Sequence, residues 1–331
     1  MSQSHYRAVV CEALGPPDSL RLQRMRRRPL TPGTVRVALK AAGINFPDVL
    51  TIQGLYQHRE ELPFVPGIEA AGVVAEAAAD VDGSIVGRKV IVRMRTGGYA
   101  EEAVIPLGQT LQLPEGFSFA EGASFLVAHM TAYHGLVTRA AIVPGQTLLV
   151  LGAAGGVGLA VVQLGKVLGA RVVAAASTAE KLQVAARHGA EELIDYAAER
   201  LEAGVKRLTA DRGVDVVFDP VGVAQASALR CLAHGGKLLV AGFAGGTIPA
   251  YAANSILLKG GSVIGVRAGE AGRQDPDLRK RELDALLSLA TQGLVRPFVS
   301  ARFPLQGHAE AMRMLQDRRA MGRIVLDIDA P

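Results

Sequence analysis

A chain of 331 residues, 49% hydrophobic and 20% charged, is a globular protein long enough for about two domains. Its formal net charge of +5 suits an anionic ligand but is not a nucleic-acid signature, and the one dense basic run, 24–28, reads as a solvated strand end. The most apolar run, 147–162, is shorter than the roughly 20 residues a membrane span needs, and no apolar signal core follows Met1, so a cytoplasmic setting is expected.

Short strands are expected at 6–11, 20–25, 35–42, 72–77, 89–94, 99–105 and 110–113, divided by Gly, Pro and Asp. Many short strands with such turns point to an all-β, barrel-like unit. A helical pattern then covers 118–141. Beyond it strands at 147–151, 171–176, 192–195, 214–219, 237–241 and 262–266 alternate with helices at 156–168, 180–188, 198–209 and 224–233. That alternation means βαβ units and a parallel, doubly wound sheet, so the fold class is α/β. The chain closes with a helix at 278–291, a strand at 299–303, a helix at 306–318 and a strand at 324–328. Cys11 and Cys231, far apart among small or apolar residues, read as buried hydrophobes rather than a disulfide.

The strand at 147–151 runs into Gly152-Ala153-Ala154-Gly155-Gly156-Val157-Gly158 and then a helix. Gly155 lets the backbone approach a pyrophosphate, and Gly158 lets the helix pack closely on the strand. The N–H groups of the turn, Ala154 through Gly158, hold the negative charge with help from the helix dipole. Ala153 stands where the usual fingerprint has its first glycine. An acid at the end of the second strand would hold the adenosine ribose. Here that place reads Ala175-Ala176-Ser177-Thr178. Small residues leave room for a 2′-phosphate, which a carboxylate would repel. Lys181 follows as a point charge, unless it is only a solvated helix residue. The expected cofactor is therefore NADPH, with Ser177, Lys181 and Tyr196 at its 2′-phosphate.

Several segments occur in a telling order: Asn45-Phe46-Pro47-Asp48, Gly54-Leu55-Tyr56, Pro66-Gly67-Ile68-Glu69-Ala70-Ala71-Gly72, Gly97-Gly98-Tyr99-Ala100-Glu101, Thr131-Ala132-Tyr133 and the glycine turn. In these the chain resembles the zinc-independent medium-chain dehydrogenases/reductases, and within them the zeta-crystallin-like NADPH:quinone oxidoreductases. The resemblance implies a GroES-like β-barrel catalytic domain (1–124 and 267–331) and a Rossmann NADPH-binding domain (125–266), with substrate meeting nicotinamide in a cleft between them. It implies a homodimer or tetramer through the edge strand 262–266. It places Asn45 and Tyr56 on the substrate side, with Asn45 also near the cofactor. Thr131 falls near the nicotinamide, and Gly242, Phe243, Ala244, Val266 and Arg267 are further cofactor contacts.

Zinc relatives use thiolate and imidazole at two first-domain positions that are Asn45 and Ile68 here, and a four-cysteine lobe is absent, so no metal is expected. His129 and His134, five apart on the expected helix, do not share a face and read as packing or surface histidines. Without a Lewis acid the acceptor must take hydride easily, as quinones and activated alkenes do. Tyr56 either offers its hydroxyl to that acceptor or only packs. Arg267, where relatives often carry an aromatic, either favours an anionic acceptor or pairs with Glu270. Enoyl reduction is the second reading. An NADPH- or RNA-binding protein with little turnover is the third, but nine Phe, six Tyr and no Trp leave no stacking groove for a nucleic acid. Neither a nucleic-acid nor a membrane partner is expected.

Overall fold

Alternating apolar and polar residues make the first strands half-buried. In the computed structural model, which describes residues 4–222 and 225–329, β1 (His5–Val10) pairs antiparallel with β2 (Arg21–Arg26). β3 (Thr34–Gly43) leads through α1 (Phe46–Ile52) to β4 (Glu69–Ala77), β5 (Lys89–Arg93), β6 (Glu102–Pro106), β7 (Thr110–Gln112) and α2 (Phe119–Gly122). β3 is the hub of this unit. β4 runs along one edge, and β6 takes the first half of the other.

α3 (Leu126–Tyr133) and a π-helical turn, His134–Arg139, precede the parallel sheet. Its elements are β8 (Thr147–Leu151), α4 (Gly156–Val167), β9 (Arg171–Ala176), α5 (Ala179–Arg187), β10 (Glu192–Asp195), α6 (Leu201–Thr209), β11 (Val214–Asp219), α7 (Gln225–Cys231), β12 (Leu232–Val240), α8 (Ala253–Lys259) and β13 (Ser262–Gly265). The six strands lie in the order β10-β9-β8-β11-β12-β13. Chain direction across the sheet reverses between β8 and β11, the switch point at which doubly wound sheets bind ligands. All five residues of β8 are buried, as in a sheet covered on both faces. Leu149, Val173, Val217 and Leu238 join Val205 and Leu229 in one core cluster.

After α9 (Ala268–Gln274) and α10 (Pro276–Thr291), β14 (Val299–Pro304), α11 (His308–Gln316) and β15 (Arg323–Asp327) return to the first unit. β15 pairs with the second half of β3, Val325 opposite Gly43, and gives a seven-stranded sheet with the GroES-like arrangement. Ile324, Leu326, Ile328 and Met312 complete the core started by Val35, Val37 and Ile52.

The contacts divide the chain into Met1–Val127 with Pro297–Pro331, and Ala128–Arg296. The sequence division had put 267–296 with the barrel. They group with the parallel sheet because buried Glu282 of α10 accepts from His134 Nδ1 at 2.8 Å, and Thr138 donates to the same carboxylate. Gln163 also binds the Arg296 backbone through both ends of its amide, at 2.8 and 3.1 Å. The helix expected over 118–141 is broken into three pieces. Ser124 turns its hydroxyl back to the Ala120 carbonyl at 2.8 Å after α2, and His134 and Thr138 both reach for Glu282. β12 starts at Leu232 instead of 237, since Leu232 already pairs with Val214 ahead of a bulge. Of the helix expected over 224–233, Ala224 lies outside the described residues.

Candidate functional site

In the parallel-sheet unit, β8 ends on Gly152, whose φ of +60° suits glycine and which sets the tight turn. The left-handed residue is thus Gly152, one place before Ala153, and Ala153 itself is fully buried with its N–H on the Ala175 carbonyl at 3.2 Å. A Cβ on Gly158 would collide with the Gly152 carbonyl oxygen and come within 2.8 Å of Ala153 Cα. Only glycine lets α4 lie this close to the turn. Gly155 is the N-cap of α4 and brings no side chain to its N–H groups, so those of Gly156, Val157 and Gly158 face the turn without a side-chain cap. Ala154, before them, is buried.

The other expected cofactor residues follow the carboxyl ends of neighbouring strands. Ser177 leaves β9, and Thr178 caps α5 by accepting the Lys181 N–H at 3.3 Å. Asp195 of β10 lies opposite Ala176, and the Tyr196 N–H binds the Ala176 carbonyl at 3.1 Å, so Tyr196 and Ser177 leave adjacent strands at one level. A cavity of about 300 Å³ opens here, with Leu151, Gly152, Tyr196 and Val221 in its walls. Gly242, Phe243 and Ala244 follow β12; the Ala244 N–H reaches the Pro220 carbonyl at 3.3 Å. Val266 follows β13 and is 6% exposed, with its N–H on the Val240 carbonyl at 2.8 Å. Arg267 stands 3.6 Å from Glu270, the pairing that was one of its two expected roles. Thr131 is half-buried on α3.

Sequence reasoning passed over Asp219 at the end of β11. Its Oδ1 accepts the Val221 and Gly222 N–H groups at 2.8 Å each, which shapes the turn at the switch point. Burial raises its carboxyl above the usual range.

The barrel unit holds a second constellation. Asn45 is 2% exposed. Its Nδ2 donates to Glu69 Oε1 at 3.1 Å and to the Gly43 carbonyl at 3.3 Å, and its Oδ1 accepts from Arg323 at 2.8 Å. Arg323 also pairs with Glu69. Both amide protons of Asn45 are therefore committed within the barrel, and the carboxamide offers a bound molecule only an oxygen lone pair. That limits the catalytic role expected of it. Asp48 Oδ2 accepts the Asn45 N–H and the Tyr99 hydroxyl, each at 2.9 Å. Burial pushes the Asp48 carboxyl up to about 7, against the pull of those donors. The sequence quoted Asp48, Glu69 and Tyr99 without roles and did not single out Arg323. No local pattern joins residues 278 positions apart.

Tyr56 lies in the loop after α1, half-buried, edge-on to His58 with ring centroids 6.3 Å apart. Among the described residues no hydrogen bond within the chain engages its hydroxyl. A larger cavity of about 600 Å³ touches Lys40, Lys89 and Arg302, but none of the expected site residues lines it, and Asp329 and Asp327 pair with Lys40 and Arg302. Among the described residues no three His, Cys, Asp or Glu side chains gather as a metal set, and no helix is long and apolar enough to cross a membrane.

Two family models match: the alcohol dehydrogenase GroES-like domain over residues 31–115 and the zinc-binding dehydrogenase over 156–288. The quinone oxidoreductase-like protein 2 homolog of Nematostella vectensis is 38% identical over 326 residues, covering 97% of this chain and 89% of that protein. Among solved structures, the quinone oxidoreductase of Thermus thermophilus, also known in complex with NADPH, superposes with a TM-score of 0.84 at 34% identity, covering 97% of this chain and 100% of its own. The Escherichia coli quinone oxidoreductase complexed with NADPH superposes at 0.88 with 27% identity, and the shares covered are again 97% and 100%.

Proposed function

Since the chain belongs to the zinc-independent quinone oxidoreductase family of the medium-chain dehydrogenases/reductases, we propose that it is an NADPH-dependent reductase acting on a quinone or a similarly activated carbonyl or alkene. The observation that carries this is the carboxyl end of the parallel sheet. A glycine turn opens on an uncapped helix, and the neighbouring strand ends without an acid. The Thermus and Escherichia relatives, similar along the whole chain, are NADPH complexes.

The residues present fit the cofactor. Ala154, Gly155, Gly156, Val157 and Gly158 hold the pyrophosphate through backbone N–H groups. Ser177, Lys181 and Tyr196 receive the 2′-phosphate. Thr131, Gly242, Phe243, Ala244, Val266 and Arg267 line the remainder. Bound there, NADPH supplies a hydride. Tyr56 donates a hydrogen bond to the acceptor oxygen as its charge develops, and its hydroxyl proton is the one at hand. Asn45, fixed by Arg323 and Glu69, serves chiefly as a rigid wall. Asn45 and Ile68 do not fit zinc, which takes thiolate, imidazole or carboxylate, so no step runs through a metal.

A homodimer through β13 follows from the unpaired edge of that strand. Ile248, Leu257 and Leu258, 75%, 80% and 79% exposed, supply apolar surface in the same part of the chain. Two buried free cysteines suit a reducing cytosol. The test of activity is NADPH oxidation with quinones, enones, aldehydes and enoyl thioesters. Turnover with quinones is the expected result. Turnover confined to enoyl thioesters, with deuterium delivered to carbon, would make the protein an enoyl reductase, and no turnover with any acceptor would sink the reductase reading.

A further inference from the structure

The cavity beside the glycine turn has a charged wall that the cofactor residues named so far leave unexplained. Arg200, Glu202 and Arg230 line it together with Gly152, Tyr196 and Val221. Glu202 is the least exposed of the three charged groups, at 13%. Its carboxylate accepts from the Ser227 hydroxyl at 2.9 Å and from Arg230 at 3.3 Å. Arg200 stands further off, at 3.8 Å, with its side chain 78% exposed. One carboxylate, already served by Arg230 and Ser227, thus faces two guanidinium groups. A full positive charge is left over at the cavity, and it resides on Arg200.

The position of this surplus charge gives it meaning. Tyr196 and Ser177 leave β10 and β9 side by side, and Gly152 leaves β8 on the other side of β9. A cavity walled by Gly152 and Tyr196 therefore brackets the carboxyl end of β9, where the adenosine ribose of a dinucleotide belongs. Lys181 brings one cation to that place. A 2′-phosphate carries between one and two negative charges near pH 7, by analogy with other phosphate monoesters. An arginine fork matches phosphate geometry in a way that a lysine point charge does not.

We propose that Arg200 is a specificity-determining residue, whose guanidinium binds the 2′-phosphate of NADPH from the side opposite Lys181, while Arg230 neutralises Glu202 and keeps that carboxylate from repelling the phosphate. The inference rests on the NADPH reading and adds to it a second cation that no sequence spacing announced.

The experiment measures binding instead of turnover. Titration calorimetry on the intact protein compares 2′,5′-ADP with 5′-AMP, which differ only in the phosphate at issue. Wild type binds 2′,5′-ADP more tightly. Arg200→Ala weakens 2′,5′-ADP by about tenfold or more and leaves 5′-AMP within about twofold, since a charge-assisted bidentate contact is lost and nothing else. Arg200→Lys recovers part of the loss, and the salt dependence of 2′,5′-ADP binding becomes shallower in the alanine variant. An equal loss for both probes would overturn the inference by making Arg200 a wall of the pocket only. So would an undiminished preference in Arg200→Ala, while Lys181→Ala abolishing it would leave the NADPH reading standing. A wild-type protein with no preference for 2′,5′-ADP would overturn both.

Discussion

Tyr56 and Asp48 sit in the same barrel unit with opposite degrees of freedom. Tyr56 is half-buried with a hydroxyl that no hydrogen bond in the described chain engages, and Asp48 is 1% exposed and bonded on both sides. If the Tyr56 hydroxyl serves the acceptor, Tyr56→Phe lowers kcat by about a hundredfold, the lower range for a positioned acid. A change within about twofold in steady-state kinetics would make it a packing residue. Asp48 bears on stability. Its folded-state pKa of about 7 lies above the ordinary aspartate value of 3.8, so folding favours the protonated form. The stabilisation this brings is present in full below about pH 4 and is lost as pH rises through about 7. Urea unfolding should show wild type weakening between about pH 5 and pH 8, and Asp48→Asn, always neutral, with a flatter slope. Equal slopes would mean that Asp48 is ionised in the native protein. Neither role was legible from spacing. Asn-Phe-Pro-Asp announced a helix start, but Asp48 acquires its character from burial and from Tyr99, and Asn45 from Arg323 at the far end of the chain.

At the scale of elements, the strands at 147–151, 171–176, 192–195 and 214–219 stand where the sequence placed them. Each is a run of apolar residues that ends in a small or polar residue, which a strand buried on both faces requires. α1, α8 and α9 were missed. Each has only seven residues, too few for a helical period to show, and α8 has no buried residue to mark a face. The turn between β8 and α4 was legible as a motif, but Gly152 was not legible as its left-handed residue, because a fingerprint counts glycines and not dihedrals. Gly158 allows a test in which two effects oppose. Alanine is better than glycine in a helix by about 1 kcal/mol. A Cβ at this place meets the Gly152 carbonyl, and overpacking of this kind costs about 1–3 kcal/mol. The clash should win, so Gly158→Ala lowers Tm and weakens NADPH in a fluorescence titration. A stabilised variant with full affinity would mean that α4 does not pack on the turn as described.

For the whole molecule, the outer edge of β13 is left unpaired by the parallel sheet, and Leu257 and Leu258 on the preceding helix are 80% and 79% exposed. If two copies join there, light scattering on wild type reports a dimer or tetramer, and the double variant Leu257→Asp, Leu258→Asp reports a monomer with an unchanged circular dichroism spectrum. A monomeric wild type would sink the interface. Domain boundaries were legible at the first crossing and not at the second. Residues 267–296 carry helices that either unit could have used, and only contacts such as Glu282 with His134 decide. The return of β14 and β15 also has a consequence for how the protein is made. The parallel-sheet unit is one continuous stretch, Ala128–Arg296, and can finish folding on the ribosome as soon as that stretch has emerged. The barrel cannot. β3 appears early, yet its partner β15 is among the last segments synthesised, and Ile324, Leu326 and Ile328 arrive with it to fill the core. Through most of translation the N-terminal strands must wait with one edge and part of their apolar face uncovered. The half of the protein made first is therefore the half completed last, and the half that a nascent-chain chaperone has most reason to hold.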